Sequence, residues 1–215
     1  MADETVEESY RRKHDKLVAG TAERSIIVPI GKSIPVRQRV LTDSQVRDIL
    51  TSTGLIAVTN CDCRTTHHRC SSPLDVCIVV GDMARSSQGN PIYRTIGVEE
   101  ALSILDRTSE LGLVHMSIWA PGHVPQAICS CCPCCCGELR GVSEFGYPDY
   151  VARSDFVAAL DEGRCSSCGM CVERCHFGAI TEEGGSVSHA PERCFGCGLC
   201  AMTCPTGALT LSRRP

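Results

Sequence analysis

The stretch CSSCGMCVERCHFGAIT (165–181) recurs 29 positions later as CFGCGLCAMTCPTGALT (194–210). Four cysteines, the glycine after the second and the closing G-A-[IL]-T coincide in the two copies. Each copy carries the spacing C-x2-C-x2-C-x3-C. Three cysteines at i, i+3 and i+6 on a tight, glycine-bearing loop can turn their sulfurs towards one four-iron, four-sulfide cubane. The fourth falls on a helical segment pointing away and serves the other copy's cube. The spacing therefore assigns Cys165, Cys168, Cys171 and Cys204 to one [4Fe–4S] cluster and Cys194, Cys197, Cys200 and Cys175 to a second. A pair of zinc sites would also use eight sulfurs, since C-x2-C opens zinc ribbons. Zinc does not explain three cysteines at strict two-residue gaps with an exchanged fourth, found twice.

The rest of the composition agrees with a metal framework. Eighteen of the 215 residues are cysteine and only 4% are aromatic, so two small domains of this make-up need cross-links or metal to hold them. Disulfides would require an oxidising compartment, yet the opening MADETVEESYRRKHDK has no apolar run of the secretory kind. No stretch approaches 18 uninterrupted apolar residues, so a membrane span is not expected and the expected location is the cytoplasm. The formal net charge of −4 comes without a basic stripe, which argues against nucleic acid as a partner. No G-x-G-x-x-G is present, Gly81 and Gly89 standing apart. Gly31-Lys32-Ser33 looks like the end of a phosphate-binding loop, but Ile26 stands where that motif needs glycine.

Residues 160–212 resemble the dicluster ferredoxin family. The resemblance implies a pseudo-twofold pair of hairpins and short helices around two cubanes, with low-potential one-electron exchange as the activity. Pro205 after Cys204 matches the family pattern, whereas His176 replaces the proline expected after Cys175. That exchange leaves the ligand untouched and offers a new hydrogen bond near one cluster.

Ten further cysteines fall in the first half: Cys61, Cys63, Cys70 and Cys77 in one group, and Cys129, Cys131, Cys132, Cys134, Cys135 and Cys136 in eight residues. Successive residues of an extended chain face opposite sides, so those six sulfurs cannot all meet one small cluster. Ten thiols suffice for one cubane with spares, for two, or for a larger cluster. The candidate metal set is Cys63, Cys70 and Cys77, which leave enough loop to converge, with Cys129, Cys131, Cys132 and Cys134. Arg64 is placed to offset cluster charge, and His115, ahead of His67, His68 and His123, is the best histidine candidate for a ligand.

Around these cysteines the pattern reads as α/β or α+β. Residues 3–18 are charged and helical at best, a docking arm or a solvated tail. Ile26–Val40 reads as extended, broken by Pro29 and Pro35. Thr42 and Gln45 form a capping box before a helix through Leu50, closed by Gly54. Leu55–Thr59 is a strand, Val98–Leu111 a helix with Ala101, Leu102, Leu105 and Leu111 inward, and Leu113–Trp119 a second strand after Gly112. Both cysteine groups follow such strands. The expected organisation is a Cys-rich domain with a metal cluster over 1–137, a linker over 138–160, and a small ferredoxin-like α+β dicluster domain over 161–215.

The pieces CDCR (61–64), SSPLDVC (71–77), GVEEALSILDRTSELGLVH (97–115) and ICSCCPCCC (128–136) resemble the Cys-rich domain found ahead of dicluster ferredoxin modules in proteins of anaerobes. This resemblance, over residues 55–137, implies a third iron–sulfur cluster and a place in multi-subunit electron transfer. The CCG at 135–137 is also similar to the CCG domains of heterodisulfide-reductase subunits, but those need further cysteines downstream, and here the next ones belong to the repeat. The leading expectation is an iron–sulfur electron carrier, or the electron-transfer subunit of an anaerobic oxidoreductase complex, serving redox partner proteins that themselves hold a flavin or corrinoid. The alternatives are an enzyme with an incompletely ligated, substrate-binding N-terminal cluster, or a redox activator of a partner enzyme.

Overall fold

The computed structural model describes residues 5–18, 25–27, 33–35, 38–120 and 124–215. In chain order the elements are α1 (Val6–Val18), β1 (Ser25–Ile27), β2 (Ser33–Pro35), β3 (Gln38–Val40), α2 (Asp43–Ser52), β4 (Ile56–Thr59), α3 (Asp62–His67), β5 (Cys77–Val80), α4 (Gly81–Ser86), β6 (Arg94–Ile96), α5 (Val98–Glu110), β7 (Val114–Ala120), β8 (Val124–Cys131) and α6 (Gly137–Ser143). They continue as β9 (Val151–Ala152), β10 (Phe156–Leu160), α7 (Met170–Arg174), β11 (Ile180–Glu183), β12 (Ser186–His189), α8 (Leu199–Thr203) and β13 (Leu209–Arg213).

A seven-stranded sheet in the order β6-β4-β5-β8-β7-β3-β9 organises the first two-thirds of the chain. Every pairing is antiparallel except β3 with β9. Its central strands are buried on both faces, successive residues pointing to opposite sides. Ile56, Val58, Ile78, Val80 and Ile128 join Val46, Leu50, Ile104 and Leu105 of α2 and α5 in one core, while Ala57, Val79 and Ala127 pack with Ala84 of α4 in another. The capping box at Thr42 and Gln45 is present and starts α2, whose buried face is Val46 and Leu50. The helix ends at Thr53 in an extended conformation, one residue before Gly54. In α5 the buried stripe is Ala101, Ile104, Leu105, Thr108 and Ser109, and Leu111, expected inside, is exposed. Gly112 then reverses the chain at φ 74°.

Residues 138–160, expected to form a linker, are built into the fold. Leu139 of α6, Tyr150 and Val151 are buried, and β9 completes the main sheet. Gly141 has no side chain because Tyr150 occupies its place: a Cβ there would lie 2.4 Å from the ring. The N-terminal segment is no solvated tail either. Tyr10 of α1 stacks on Phe145 at 4.4 Å and on Tyr150 at 5.7 Å, His14 stacks on Tyr147, and Lys13 pairs with Glu138 at 2.6 Å. Of the extended reading over Ile26–Val40, β1 and β2 pair with each other and β3 enters the main sheet; Pro29 lies outside the described residues.

The C-terminal part pairs β10 with β13 and β11 with β12. It seats on the main sheet through Phe177 and Phe195, stacked at 4.4 Å in one cluster with Val114, Met116, Cys131 and Leu139. His176 accounts for its own presence here. Its Nε2–H donates to the Gly112 carbonyl at 2.8 Å, and Arg174 donates to the Glu110 carbonyl at 2.8 Å, so the residue that displaces proline pins the repeat to the end of α5.

Candidate iron–sulfur and metal centres

The glycine after the second cysteine of each copy, Gly169 and Gly198, adopts φ 74° and 84° at the start of α7 and α8. That left-handed turn, costly for any other residue, swings the third cysteine of each run into a short helix and leaves the fourth at its C-terminal end. Two cavities result. One is lined by Cys165, Cys168, Cys171 and Cys204 with Leu160 and Val187. The other is lined by Cys175, Cys194, Cys197 and Cys200 with Phe177 and Phe195. The fourth cysteine of each copy thus stands with the other copy's three.

The donor sets fit the clusters that such spacing serves. Burial pushes the Cys197 thiol up to about 12 and raises Cys171 and Cys200, the neighbouring cysteines of the same cavity adding to the effect. Such thiols ionise when a metal core takes the proton's place. Backbone N–H groups already aim at sulfur, Ala179 N–H donating to Cys175 Sγ at 3.2 Å. Burial opposes ionisation of Cys204, but hydrogen bonds from the Leu209 backbone, Thr206 and Ala208 outweigh it and bring the thiol to about 7. Cys168 of the first set is exposed, whereas Cys194 and Cys200 of the second are buried.

In the first half the structure divides the ten cysteines into two sites. Cys70, Cys132, Cys134 and Cys135 form a quartet in which every sulfur lies within 4.8 Å of every other. The contacts are Cys70–Cys132 at 3.7 Å, Cys70–Cys135 at 3.9 Å and Cys134–Cys135 at 3.9 Å. The other six close a ring: Cys61 meets Cys63 and Cys77, Cys63 meets Cys136, Cys136 meets Cys131, Cys131 meets Cys129, and Cys129 meets Cys77. The expected convergence of Cys63, Cys70 and Cys77 does not occur. Cys70 goes to the quartet, and Cys61 stands between Cys63 and Cys77.

Local structure explains the division. Cys129 and Cys131 are two apart in β8 and share a face, with Cys77 on the neighbouring strand β5. Cys61 and Cys136 are the N-cap residues of α3 and α6. Cys63 depresses Cys61 most, to about 2, with Cys77 and the Arg64 backbone adding; Cys131 and Cys63 depress Cys136, with the Leu139 and Glu138 N–H groups adding. Cys63, Cys131 and Cys77 are pushed up by the neighbouring cysteines and by burial. Cys132 to Cys135 form the turn between β8 and α6, closed by Cys136 N–H to the Cys132 carbonyl at 3.1 Å.

Arg64 lies between the two sites, 1% exposed. Its guanidinium donates to the Pro73 carbonyl at 2.7 Å and to the Ser130 carbonyl. Burial alone would lower its pKa, but Cys132, Cys61 and Cys131 raise it. His115 is not a ligand candidate in the structure. Its Nε2 lies 2.8 Å from Ser109 Oγ and its Nδ1 3.2 Å from Ser130 Oγ. Ser109 donates to Asp43, so its oxygen accepts from Nε2–H. Burial lowers this histidine to about 4. Sequence reasoning passed over Cys61, Cys135 and Cys136. For Cys61 and Cys136 the available signal was a cysteine directly before a short helical segment opening on an acidic turn, Asp62 in one case and Glu138 in the other.

Residues 164–208 match the family model of a 4Fe–4S dicluster domain. The chain therefore carries a 4Fe–4S dicluster domain, of a kind that implies iron–sulfur electron transfer, and both cavities just described lie largely within it. Comparison with curated proteins finds no match. Among the described residues no helix is long and apolar enough to cross a membrane.

Proposed function

We infer that this protein is an electron carrier or the electron-transfer subunit of an anaerobic oxidoreductase complex, with two cubanes in the C-terminal cavities and a third iron–sulfur centre on the six-cysteine ring. The observation that carries the reading is the interleaved sorting of eight cysteines around two cavities. Cubanes with four thiolate ligands leave no iron open to substrate and supply one-electron exchange. The protein's part is to hold them in apolar surroundings, direct N–H groups at their sulfurs and bring the sites together. Cys171, Cys194 and Cys200 share one apolar cluster, and Cys175 and Cys197 share another with Cys129, Cys131 and Cys136. The third site thus adjoins the cavity of Cys194 and Cys200, while the cavity with exposed Cys168 faces the exchange partner.

Two oxidised cubanes at about −2 each take the formal charge from −4 to about −8, so docking is on basic surfaces and weakens with salt. In this reading any flavin or corrinoid belongs to the partner, as no dinucleotide fingerprint accompanies the cysteines. A reducing, cytoplasmic location suits eighteen free thiols. Anaerobic redox titration followed by EPR tests the reading. Reduced-cluster signals with spin coupling, appearing below the hydrogen-electrode region, are expected, and their absence overturns it.

A further inference from the structure

The quartet Cys70, Cys132, Cys134 and Cys135 differs from the protein's other cysteine sites in the separation of its sulfurs. Among the described residues it is the one set of three or more candidate ligand atoms that all lie within 4.8 Å of one another. The two C-terminal quartets line cavities instead, and the ring of six touches only from neighbour to neighbour. Four thiolates at about 2.3 Å from one zinc ion form a tetrahedron whose edge is about 3.8 Å. The contacts of 3.7, 3.9 and 3.9 Å match that edge. A cubane must fit four irons and four sulfides between its ligands, and no such space separates these sulfurs.

We propose that this quartet binds a single zinc ion, separate from the iron–sulfur centres. An all-thiolate tetrahedron with no open position is the donor set of a structural zinc site. The neighbours complete it. The Arg69 N–H faces Cys135, the Ser72 hydroxyl and N–H face Cys70, and the Arg64 guanidinium faces Cys132, offsetting part of the −2 charge of zinc with four thiolates. Cys132 and Cys135 are buried, so a water ligand has no approach from their side. Binding exchanges zinc-bound water for thiolate, and the four cysteine protons leave to solvent. Its structural effect is to tie the loop before β5 to the turn after β8, which fixes the two segments that carry Cys77 on one side and Cys131 and Cys136 on the other.

The test uses the full chain, prepared anaerobically with iron and zinc both supplied. Expected are one zinc per chain and a zinc X-ray absorption spectrum with four sulfurs at about 2.3 Å. In Cys134→Ser the zinc content falls below half an ion per chain while the EPR signals of the C-terminal cubanes persist. Should that variant fail to fold, growth with cobalt in place of zinc decides: one cobalt per chain with intense thiolate charge-transfer bands supports the proposal. Zinc absent from wild type, zinc with oxygen or nitrogen ligands, or iron filling the quartet overturns it. None of those results depends on the cubanes, whose own failure would show as missing iron and sulfide.

Discussion

Replacing Arg64 with Met removes a buried cation while keeping much of its volume. In the folded protein the guanidinium satisfies the Pro73 and Ser130 carbonyls and faces the thiolates of both N-terminal sites. A buried carbonyl left without a donor costs about 1–3 kcal/mol, and stripping one partner from a buried charge pair costs about 3–5 kcal/mol. These effects share one side chain and do not add, so a net loss of about 3–5 kcal/mol is expected. For a chain of this size each kcal/mol moves the melting temperature by about 2–4 °C, so even 3 kcal/mol lowers it by about 6–12 °C. Arg64→Lys keeps the charge but cannot span both carbonyls with one ammonium group, and should recover only part of the loss. The assay is thermal unfolding of anaerobic holoprotein by circular dichroism, with metal content measured on the same samples. An Arg64→Met protein melting within about 2 °C of wild type, with full metal content, would refute the assignment of Arg64 as the counter-charge of the two sites.

Three further outcomes are expected. Cys204→Ser should disturb the EPR signal of the cluster held by Cys165, Cys168 and Cys171, and Cys175→Ser that of the other; disturbance of the same-copy cluster instead would reject the exchange. His115 is held neutral, depressed from an ordinary 6.5 to about 4 by burial, so the unfolded chain takes up the proton first as pH falls. Its contribution is intact above about pH 6.5 and is lost towards pH 4, about 3 kcal/mol in all, and the stability gap between wild type and His115→Asn should narrow over that window in denaturant titrations. His176→Ala forfeits the bond to the Gly112 carbonyl and should cost about 0.5–1.5 kcal/mol in the same titrations, with iron content unchanged.

Local rules were legible in the sequence wherever the signal was local. The capping box at Thr42, the glycine stop at Gly112 and the duplicated cysteine run each depend on residues a few positions apart, and each has its structural counterpart. The argument that six sulfurs in eight residues cannot share one small cluster also has its counterpart: Cys129, Cys131 and Cys136 turn to the ring, and Cys132, Cys134 and Cys135 to the quartet. What remained hidden was partner choice across the sheet. Cys70 meets Cys132 over 62 positions of chain, and nothing near Cys70 distinguishes it from Cys63 or Cys77. The stretch after Cys136 looked like a tether because its glycines and Pro148 are the residues of loops. Gly141 is there for the opposite reason, to let Tyr150 pack against α6. Likewise α1 reads as solvated from its charges, and only its tertiary partners reveal that Tyr10 and His14 form its packed, half-buried face.

Iron and acid-labile sulfide counted per chain, in protein purified without oxygen, test the central claim most directly. About 12 of each is expected, eight for the two C-terminal cubanes and four for a third on the ring. Fewer than about eight of either, with zinc occupying the C-terminal cysteines, would contradict the account.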